Sequence, residues 1–453
     1  MLFRNWAFAA AVGLFLVGGY IYYSRGHTVE TGKTVIRVWD WWSPASSTEL
    51  GLYFERIEAD FEARHPDIDL RYQFIPYGTQ YIQKLMAAFA AGEPPDAFQC
   101  SVAWALDIYE RGVVRDLNDF LETSPEVALE EYFPVTAEYL SKDGRVFGVP
   151  TSMDSSCLIF NADMVRAAGL DASPHAIDSW ETFTKYAKAL TVRDERGRIV
   201  RAGFPLAGMS ERFTAYLPWL AADGKEFYTA DKRSTNATTL EGISTMRFLK
   251  DLLHTHGVSF PPGAEIQVDN LFFEGKAAFL QGGTWMGYEL RQRAPKMDFV
   301  MTAFPPGPHG TEAATITWVN MMMMPKSSKH PEETWEYLRY YGGLENAVNM
   351  LEILNRNSAR LDFYETPQWK AKVDEYPYLT MLPEISAAGR MMPHKRYQET
   401  NEAFVPYYQH ALLGTMEVED AMREGNARVE GVLEGTWADQ LLLEMKSREE
   451  LPR

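Results

Sequence analysis

The segment Thr34–Phe74 reads TVIRVWDWWSPASSTELGLYFERIEADFEARHPDIDLRYQF and decides the fold class. Its opening stretch, Val35–Trp39, is rich in valine and isoleucine, which predicts a strand. The apolar residues of Leu50–Phe61 recur at helical spacing, and His65-Pro66 predicts the end of that helix. Apolar and polar residues then alternate over Ile68–Phe74, which predicts a second strand with one face in solvent.

The same order of strand and helix continues along the chain. Ser46 and Glu49 form a capping-box pattern, which predicts the start of the first helix. Tyr81–Phe89 has helical spacing and is followed by Gly92, and Pro95–Gln99 predicts a third strand. Strands that alternate with helices favour a mainly parallel sheet in an α/β domain.

A second set of elements follows. Val146–Pro150 and Cys157–Asn161 are predicted to be two separate strands. Ser179 is a candidate N-cap of the next helix, and Leu240–Leu253 predicts another. From Pro367 onward the pattern is mostly helical. The length of 453 residues is sufficient for two or three domains.

Composition excludes several classes of protein. The net charge of −18 and the absence of a basic run argue against a nucleic-acid partner. Cys100 and Cys157 are predicted to be buried thiols, and a disulfide between them is the alternative in an oxidising compartment. Met321–Met324 predicts a buried strand rather than a metal site. We expect neither a metal nor a cofactor.

The N-terminus predicts export. An apolar run follows Arg4, and tyrosines end it before Arg25. We expect residues 1–25 to be a membrane signal anchor, with a cleaved signal peptide as the alternative, and residues 26–33 to be a linker. No cysteine follows the run, which argues against a lipoprotein anchor.

Catalytic signatures are missing from the sequence. There is no Walker A loop, HExxH, GxSxG or dinucleotide fingerprint. Asp40 and Asp154 would be an acid–base pair only if the fold brought them together, so a hydrolase is a minor alternative. His254 and His256 would point to different helix faces, which disfavours a metal site.

Aromatic residues are concentrated where the first strand ends. Trp39, Trp41 and Trp42 cannot all face one core, because neighbours in an extended segment point to opposite sides. Ligands of open α/β sheets bind beyond the carboxyl ends of strands. We therefore expect Trp41 or Trp42 to contact a ligand, either by stacking on a sugar ring or by facing a cation.

Short segments match, in order, the motifs of a known family. The most specific is FEGKAAF at Phe273–Phe279 followed by GGTW at Gly282–Trp285, which resembles the family's F-x-x-G-K-A-A-M-x-x-x-G-x-W. The others are FEARHPDI at Phe61–Ile68, Pro95-Asp96, GVP at Gly148–Pro150, LIFN at Leu158–Asn161, WETF at Trp180–Phe183 and LPWLAADG at Leu217–Gly224. On these motifs residues 34–440 resemble the extracellular solute-binding proteins of group 1, the sugar-binding type related to maltose-binding protein. Phe279 and Lys225 depart from the family's Met and Gly.

The resemblance implies a periplasmic binding protein type II fold of the α/β class, in which crossover strands join two α/β lobes around a ligand cleft. Lobe 1 would comprise residues 34–147 and 300–342, and lobe 2 residues 148–299 and 343–453. It also implies a non-enzymatic, monomeric substrate-binding component of a bacterial ABC importer, which captures a sugar-like solute in the periplasm and delivers it to a membrane permease. Closure of the lobes around the solute is part of that implication.

The resemblance also assigns ligand-binding positions at the strand ends. These are Trp41, Trp42, Ser43, Tyr77, Gln99, Ser101, Asp154, Tyr216, Trp219, Trp285, Trp318 and Asn320. The aromatic rings would stack on the solute, whereas Gln99, Asp154 and Asn320 would bond its hydroxyl groups. Two alternatives stay open: a membrane-anchored sensor or adaptor of the same fold, and a receptor for a phosphorylated polyol or an amine. A phosphate would need an arginine in the cleft, such as Arg356 or Arg396.

Overall fold

The structure is a computed structural model that describes residues 32–206, 213–261 and 268–435. The expected anchor at residues 1–25 and most of the expected linker at residues 26–33 lie outside the described residues. Within the described ranges, no helix combines the length and the apolar content that a membrane crossing requires.

The strands of the described residues are short except for two that are central to the architecture. They are β1 (Thr34–Asp40), β2 (Ile68–Phe74), β3 (Ala97–Ser101), β4 (Ser141–Lys142), β5 (Arg145–Val146), β6 (Val149–Asn161), β7 (Val192–Arg193), β8 (Ile199–Arg201), β9 (Phe279–Gly283), β10 (Phe299–Thr302), β11 (Thr315–Met323) and β12 (Gly389–Met391).

The α-helices of the described residues alternate with these strands and then dominate the C-terminal third. They are α1 (Thr48–Arg64), α2 (Thr79–Ala91), α3 (Val102–Glu110), α4 (Asn118–Leu121), α5 (Pro134–Leu140), α6 (Ala162–Ala167), α7 (Trp180–Leu190), α8 (Leu217–Ala222), α9 (Leu240–His254), α10 (Val268–Phe273), α11 (Met286–Arg293), α12 (Pro331–Tyr341), α13 (Leu344–Leu354), α14 (Pro367–Glu375), α15 (Leu382–Ala387), α16 (Tyr397–Leu413) and α17 (Val418–Glu434).

The strands form a continuous path in the order β10-β6-β11-β3-β1-β2, with β12 beside β11 and β9 beside β6. β1 is parallel to both β2 and β3, and β11 is antiparallel to β3 and β6. The first half of β6 pairs with β11, whereas its second half, Ser156–Asn161, pairs with β9 and β10. The 13-residue β6 therefore crosses from one lobe to the other, as the expected two-lobe α/β fold requires.

The strand pairing places two segments in the lobe opposite to the one expected for them. Val149–Met153, expected in lobe 2, pairs with β11 in the sheet that holds β1 and β3. Phe299–Thr302 pairs with the lobe 2 half of β6, although nearly all of it was expected in lobe 1. Phe304 and Ala314 also belong to a lobe 2 core. We therefore propose that the chain changes lobes inside β6 and inside β11 rather than beside them.

Two strands predicted around residues 146–161 are in fact one. The intervening TSMDSS segment is polar and resembles a loop, but Ser152 and Ser155 are hydrogen-bonded to residues of β11. Ser155 Oγ lies 2.8 Å from Thr317 Oγ1 on β11, and both side chains are fully buried. Buried hydroxyl groups are tolerated when they satisfy one another, which the alternation of apolar residues does not reveal.

Most other predicted elements are confirmed with small shifts. The first helix is capped by Ser47, whose Oγ accepts from the Leu50 N–H at 3.2 Å, rather than by Ser46. Ser179 caps α7 as predicted. Both cysteines are buried and free, and the four methionines of Met321–Met324 have no exposed surface.

The lobe 2 core contains a group of packed aromatic rings. The ring of Phe183, on α7, lies 4.9–5.3 Å from the rings of Trp219, Phe279 and Phe204. All four side chains are fully buried. This packing fixes α7 and α8 against the strands of lobe 2.

Phe183→Ala is expected to lower the free energy of unfolding by about 3–5 kcal/mol, because it leaves a cavity among three rings. Urea denaturation followed by circular dichroism measures the change. Leu240→Ala is the control, since Leu240 is 69% exposed, and it should change stability by less than about 0.5 kcal/mol. A loss below about 1 kcal/mol for Phe183→Ala would contradict the packing.

Candidate functional site

The carboxyl ends of three parallel strands meet at one edge of the lobe 1 sheet. Because β1 is parallel to β2 and β3, the loops after these strands leave the sheet on the same side. The β1 loop carries Trp41 and Trp42, the β2 loop carries Tyr77, and Ser101 ends β3. This edge is where open α/β sheets bind ligands.

Trp41, Tyr77 and Trp104 form an aromatic cluster that we call the lobe 1 wall. The Trp41 ring centroid lies 5.3 Å from that of Tyr77 and 6.5 Å from that of Trp104. Tyr81 packs against Trp41, and its hydroxyl donates to the Gln99 carbonyl oxygen at 2.6 Å. Tyr77 is 57% exposed, so the wall presents an aromatic surface to solvent.

Asp40 lies beneath this loop and is fully buried. Its carboxylate accepts from the Trp42 backbone N–H at 2.8 Å, from the Tyr341 hydroxyl at 3.3 Å and from the Trp41 N–H. The Gln99 side-chain amide faces both carboxylate oxygens, with its nitrogen 2.8 Å from Oδ2. Burial raises the pKa of Asp40 to about 7, against the opposing effect of the donors.

A second aromatic pair, the lobe 2 wall, consists of Trp285 and Trp318. Trp285 follows β9 and Trp318 lies on β11, with ring centroids 5.9 Å apart in an edge-to-face arrangement. The Trp285 indole lies over Gly283, where an added Cβ would be 1.9 Å from the ring. Trp285 is 37% exposed. The Trp285 ring can occupy this place only because residue 283 is a glycine and has no side chain.

Asp154 lies on β6 directly opposite Trp318. Its Oδ1 accepts from Thr284 Oγ1 at 3.1 Å, and its Oδ2 is 3.8 Å from Arg356 Nη1. The Arg356 guanidinium also lies over the Trp42 ring, 5.8 Å from its centroid. Arg356 thus connects the β1 loop of lobe 1 to the crossover strand β6. The charges of Arg356 and Asp154 compensate each other.

The polar residues expected in the site are bonded within the chain. Ser43 Oγ and Ser101 Oγ each accept from the backbone N–H two residues later, at 3.3 and 3.4 Å, and so fix the starts of two helical turns. Asn320 Nδ2 donates to Ser152 Oγ at 3.1 Å between β11 and β6, and Asn320 is partly exposed.

Three expected contact residues are buried beneath the surface. Gln99, Tyr216 and Trp219 have no exposed surface. The Gln99 amide is occupied by Asp40. Every residue of α8, which contains Trp219, is buried, because a helix that is apolar on all sides packs in the core. In this structure other residues cover the three side chains, so their contact with a solute stays a prediction.

Sequence reasoning missed three residues of the site or misjudged them. Trp104 lies three positions after the end of β3, so the rule used for Trp41 would also have found it. Thr284 directly precedes the assigned Trp285, and only the fold shows its hydrogen bond to Asp154. Arg356 was considered only as a partner of phosphate, whereas the structure pairs it with a carboxylate.

A further cavity lies elsewhere in the chain. It is a groove of about 770 Å³ on lobe 2, between α7 and α9, lined by residues such as Lys185, Leu240 and Phe248. No residue of either aromatic wall lines it. Within the described ranges there is also no cluster of three or more His, Cys, Asp or Glu residues that would hold a metal.

Comparisons with known proteins cover most of the chain. A protein of Brucella abortus named only as a binding protein is 22% identical over 444 residues, which are 96% of this chain and 100% of that protein. The arabinooligosaccharide-binding protein of Halalkalibacterium halodurans is 21% identical over 336 residues, 72% of each chain. The structure of the sugar-binding protein MalE from Xanthomonas citri covers 91% of this chain and 99% of its own, with a TM-score of 0.76 and 21% identity.

The structural likeness establishes the two-lobe fold, and the sequence establishes the family. Residues 44–348, more than half of the chain, match the family profile described as bacterial extracellular solute-binding protein. The chain belongs to this family of bacterial extracellular solute-binding proteins.

Proposed function

We propose that this chain is the substrate-binding component of an ABC importer and that it captures a neutral oligosaccharide between its two lobes. One observation carries the proposal. Among the described tryptophan, tyrosine and phenylalanine side chains, only Tyr77 and Trp285 are more than about a third exposed, and they belong to the lobe 1 wall and the lobe 2 wall. Exposed aromatic faces beside polar groups suit the apolar C–H faces of sugar rings.

The charges of the site favour a neutral solute. Arg356 Nη1 lies 3.8 Å from Asp154 Oδ2, so a phosphate group would compete with this carboxylate for the guanidinium. Arg396, the other arginine considered, already donates through its guanidinium to the Val432 carbonyl oxygen of α17, at 2.9 Å. An amine would need a free carboxylate, and Asp154 is already paired. A phosphorylated polyol or an amine is therefore the weaker proposal.

The names of the relatives support the same substrate class. The arabinooligosaccharide-binding protein and the sugar-binding protein MalE are named for carbohydrate ligands. A solved protein from Listeria monocytogenes, with a TM-score of 0.72, was obtained in complex with cycloalternan. We transfer the chemical class, an oligosaccharide, and not the identity of any one sugar.

Place and partners follow from the family and from the N-terminal sequence. We propose that the chain acts as a monomer in the periplasm, that residues 1–25 hold it at the membrane, and that the closed form docks on a permease. A sensor or adaptor of the same fold would bind the same solute but would act on a different membrane protein. Reconstituted transport with the permease separates the two roles.

Maltotriose and arabinotriose are the first probes of the site. At a hundredfold excess over its dissociation constant, a bound sugar should stabilise the chain by about 2.7 kcal/mol, measured as a rise in melting temperature. Trp285→Ala and Tyr77→Ala should each weaken binding by about tenfold, since each removes a stacking face.

The exposed-surface variant Leu240→Ala should bind like the parent chain, since Leu240 lies on lobe 2 outside both walls. A sugar response that survives in both Trp285→Ala and Tyr77→Ala would place binding elsewhere. The absence of any response to neutral oligosaccharides, with a response to phosphates or amines, would overturn the proposed substrate class.

Asp154→Asn tests the charge argument. The substitution leaves the Arg356 guanidinium without its carboxylate, so affinity for maltose 1-phosphate should rise by about tenfold relative to maltose. Isothermal titration calorimetry measures both affinities. Adding Arg356→Gln to Asp154→Asn should abolish the gain, and an unchanged preference in Asp154→Asn would contradict compensation by this pair.

A further inference from the structure

Asp40 is a buried carboxylate whose partners are donors without charge. Its oxygens receive the Trp41 and Trp42 backbone N–H groups, the Tyr341 hydroxyl and the Gln99 amide. No salt bridge to Asp40 exists among the described residues. Removing an unpaired carboxylate from water is costly unless its hydrogen bonds are complete or it takes up a proton.

The titratable side chains that interact with Asp40 are neutral tyrosines. The titratable side chains that face it are Tyr53 on α1, Tyr72 on β2, Tyr81 on α2, and Tyr337 and Tyr341 on α12. Burial raises the pKa of all five phenols above their ordinary value. Two cations lie over rings next to Asp40 in the sequence: Arg356 over Trp42 and Lys84 over Trp39. None of these groups changes charge between pH 5 and pH 8.

Gln99 can satisfy both protonation states of Asp40. When the carboxylate is ionised, the amide nitrogen donates to Oδ2 at 2.8 Å. When Asp40 is protonated, its O–H becomes a donor, and the amide must turn by about 180° to present its oxygen. Because Gln99 is fully buried on β3, water does not compete for either arrangement.

The ionised state holds the β1 loop more firmly. A carboxylate accepts stronger hydrogen bonds from the Trp41 and Trp42 N–H groups than a neutral acid does. Trp41 belongs to the lobe 1 wall, and Trp42 supports Arg356. Protonation of Asp40 therefore weakens the backbone bonds that place one side of the solute site.

We propose that Asp40 is a positioning residue of the solute site: its proton, coupled to rotation of the Gln99 amide, sets the placement of Trp41 and Trp42 and makes solute affinity depend on pH. The effect on affinity rests on the proposed function, whereas the effect on the loop does not. Asp40 itself does not contact the solute, since it has no exposed surface.

The loop can be followed without any solute by fluorine NMR of the full chain labelled with 5-fluorotryptophan. Trp41→Phe and Trp42→Phe identify the two resonances. We expect both to shift between pH 5 and pH 8 with a midpoint near pH 7, the region to which burial raises the pKa of Asp40. In Asp40→Asn the resonances should stay near their low-pH positions at every pH, because asparagine imitates the neutral acid.

Asp69→Asn is the matched control. Asp69 is also buried and lies on the adjacent strand β2, but its carboxylate is 3.0 Å from Arg71. This variant should keep the pH-dependent shifts of the parent chain. Loop resonances of the parent chain that do not move between pH 5 and pH 8, or that still titrate in Asp40→Asn, would overturn the proposal.

The pH dependence of stability gives a second readout, and proton linkage fixes the direction of the change in melting temperature. The folded carboxyl holds its proton up to about pH 7, whereas the unfolded carboxyl releases it near 3.8. The folded chain thus binds more protons between these values, so its melting temperature should fall as the pH rises from 4 to 7. Asp40→Asn should lack this part of the decline, and an identical decline in both chains would contradict the assignment.

Binding of maltotriose then tests the functional part. Affinity should be about tenfold higher at pH 8 than at pH 5 in the parent chain, and independent of pH in Asp40→Asn. If maltotriose does not bind but the tryptophan resonances titrate, the proposed substrate fails and the proton-coupled loop stands. If maltotriose binds equally at both pH values, the positioning role of Asp40 is wrong.

Discussion

The antiparallel pairing of β6 with β11 is the constraint on which the cleft depends. Both strands run through the junction of the lobes, and their register places Asp154 opposite Trp318. At the same level the Ser155 and Thr317 hydroxyl groups bond each other inside the sheet. Because these polar groups are satisfied, the strands continue through a buried junction that carries little apolar surface. The strand-end loops of each lobe are thereby held beside one another.

The two aromatic walls are held by different means. In lobe 1 the backbone N–H groups of the β1 loop are fixed by the buried Asp40 carboxylate. In lobe 2 the Trp285 ring lies against the bare backbone of Gly283, which leaves room that no larger residue would leave. Arg356 lies between them, with its charge shared by Asp154 and the Trp42 ring. The result is a site with exposed rings and a compensated charge.

Much of the fold can be predicted from the sequence, because its strands and helices follow from local patterns of apolar and polar residues. Period-two and helical spacing, together with turn residues, found β1, β2 and the helices between them. Adjacent residues in an extended chain point to opposite sides, which predicts that Trp41 or Trp42 contacts a ligand, and the structure places Trp41 in the lobe 1 wall.

Other parts of the site depend on contacts that no local pattern contains. Tyr216 and Trp219 lie in a segment as aromatic as the β1 loop, and only the packing of α8 shows that they are buried. Arg356 meets Asp154 and Trp42, residues about 200 and 300 positions away in the chain. In the sequence Asp40 is a candidate only for an acid–base pair with Asp154, and only the fold shows that its carboxylate is buried.

Hydrogen–deuterium exchange with and without a neutral oligosaccharide tests the central claim most directly. If the solute is held between the two walls, protection should appear in the β1 loop at residues 41–46 and in the segment at residues 281–287, on both lobes together. Protection limited to the groove between α7 and α9, or to one lobe alone, would contradict binding between the lobes.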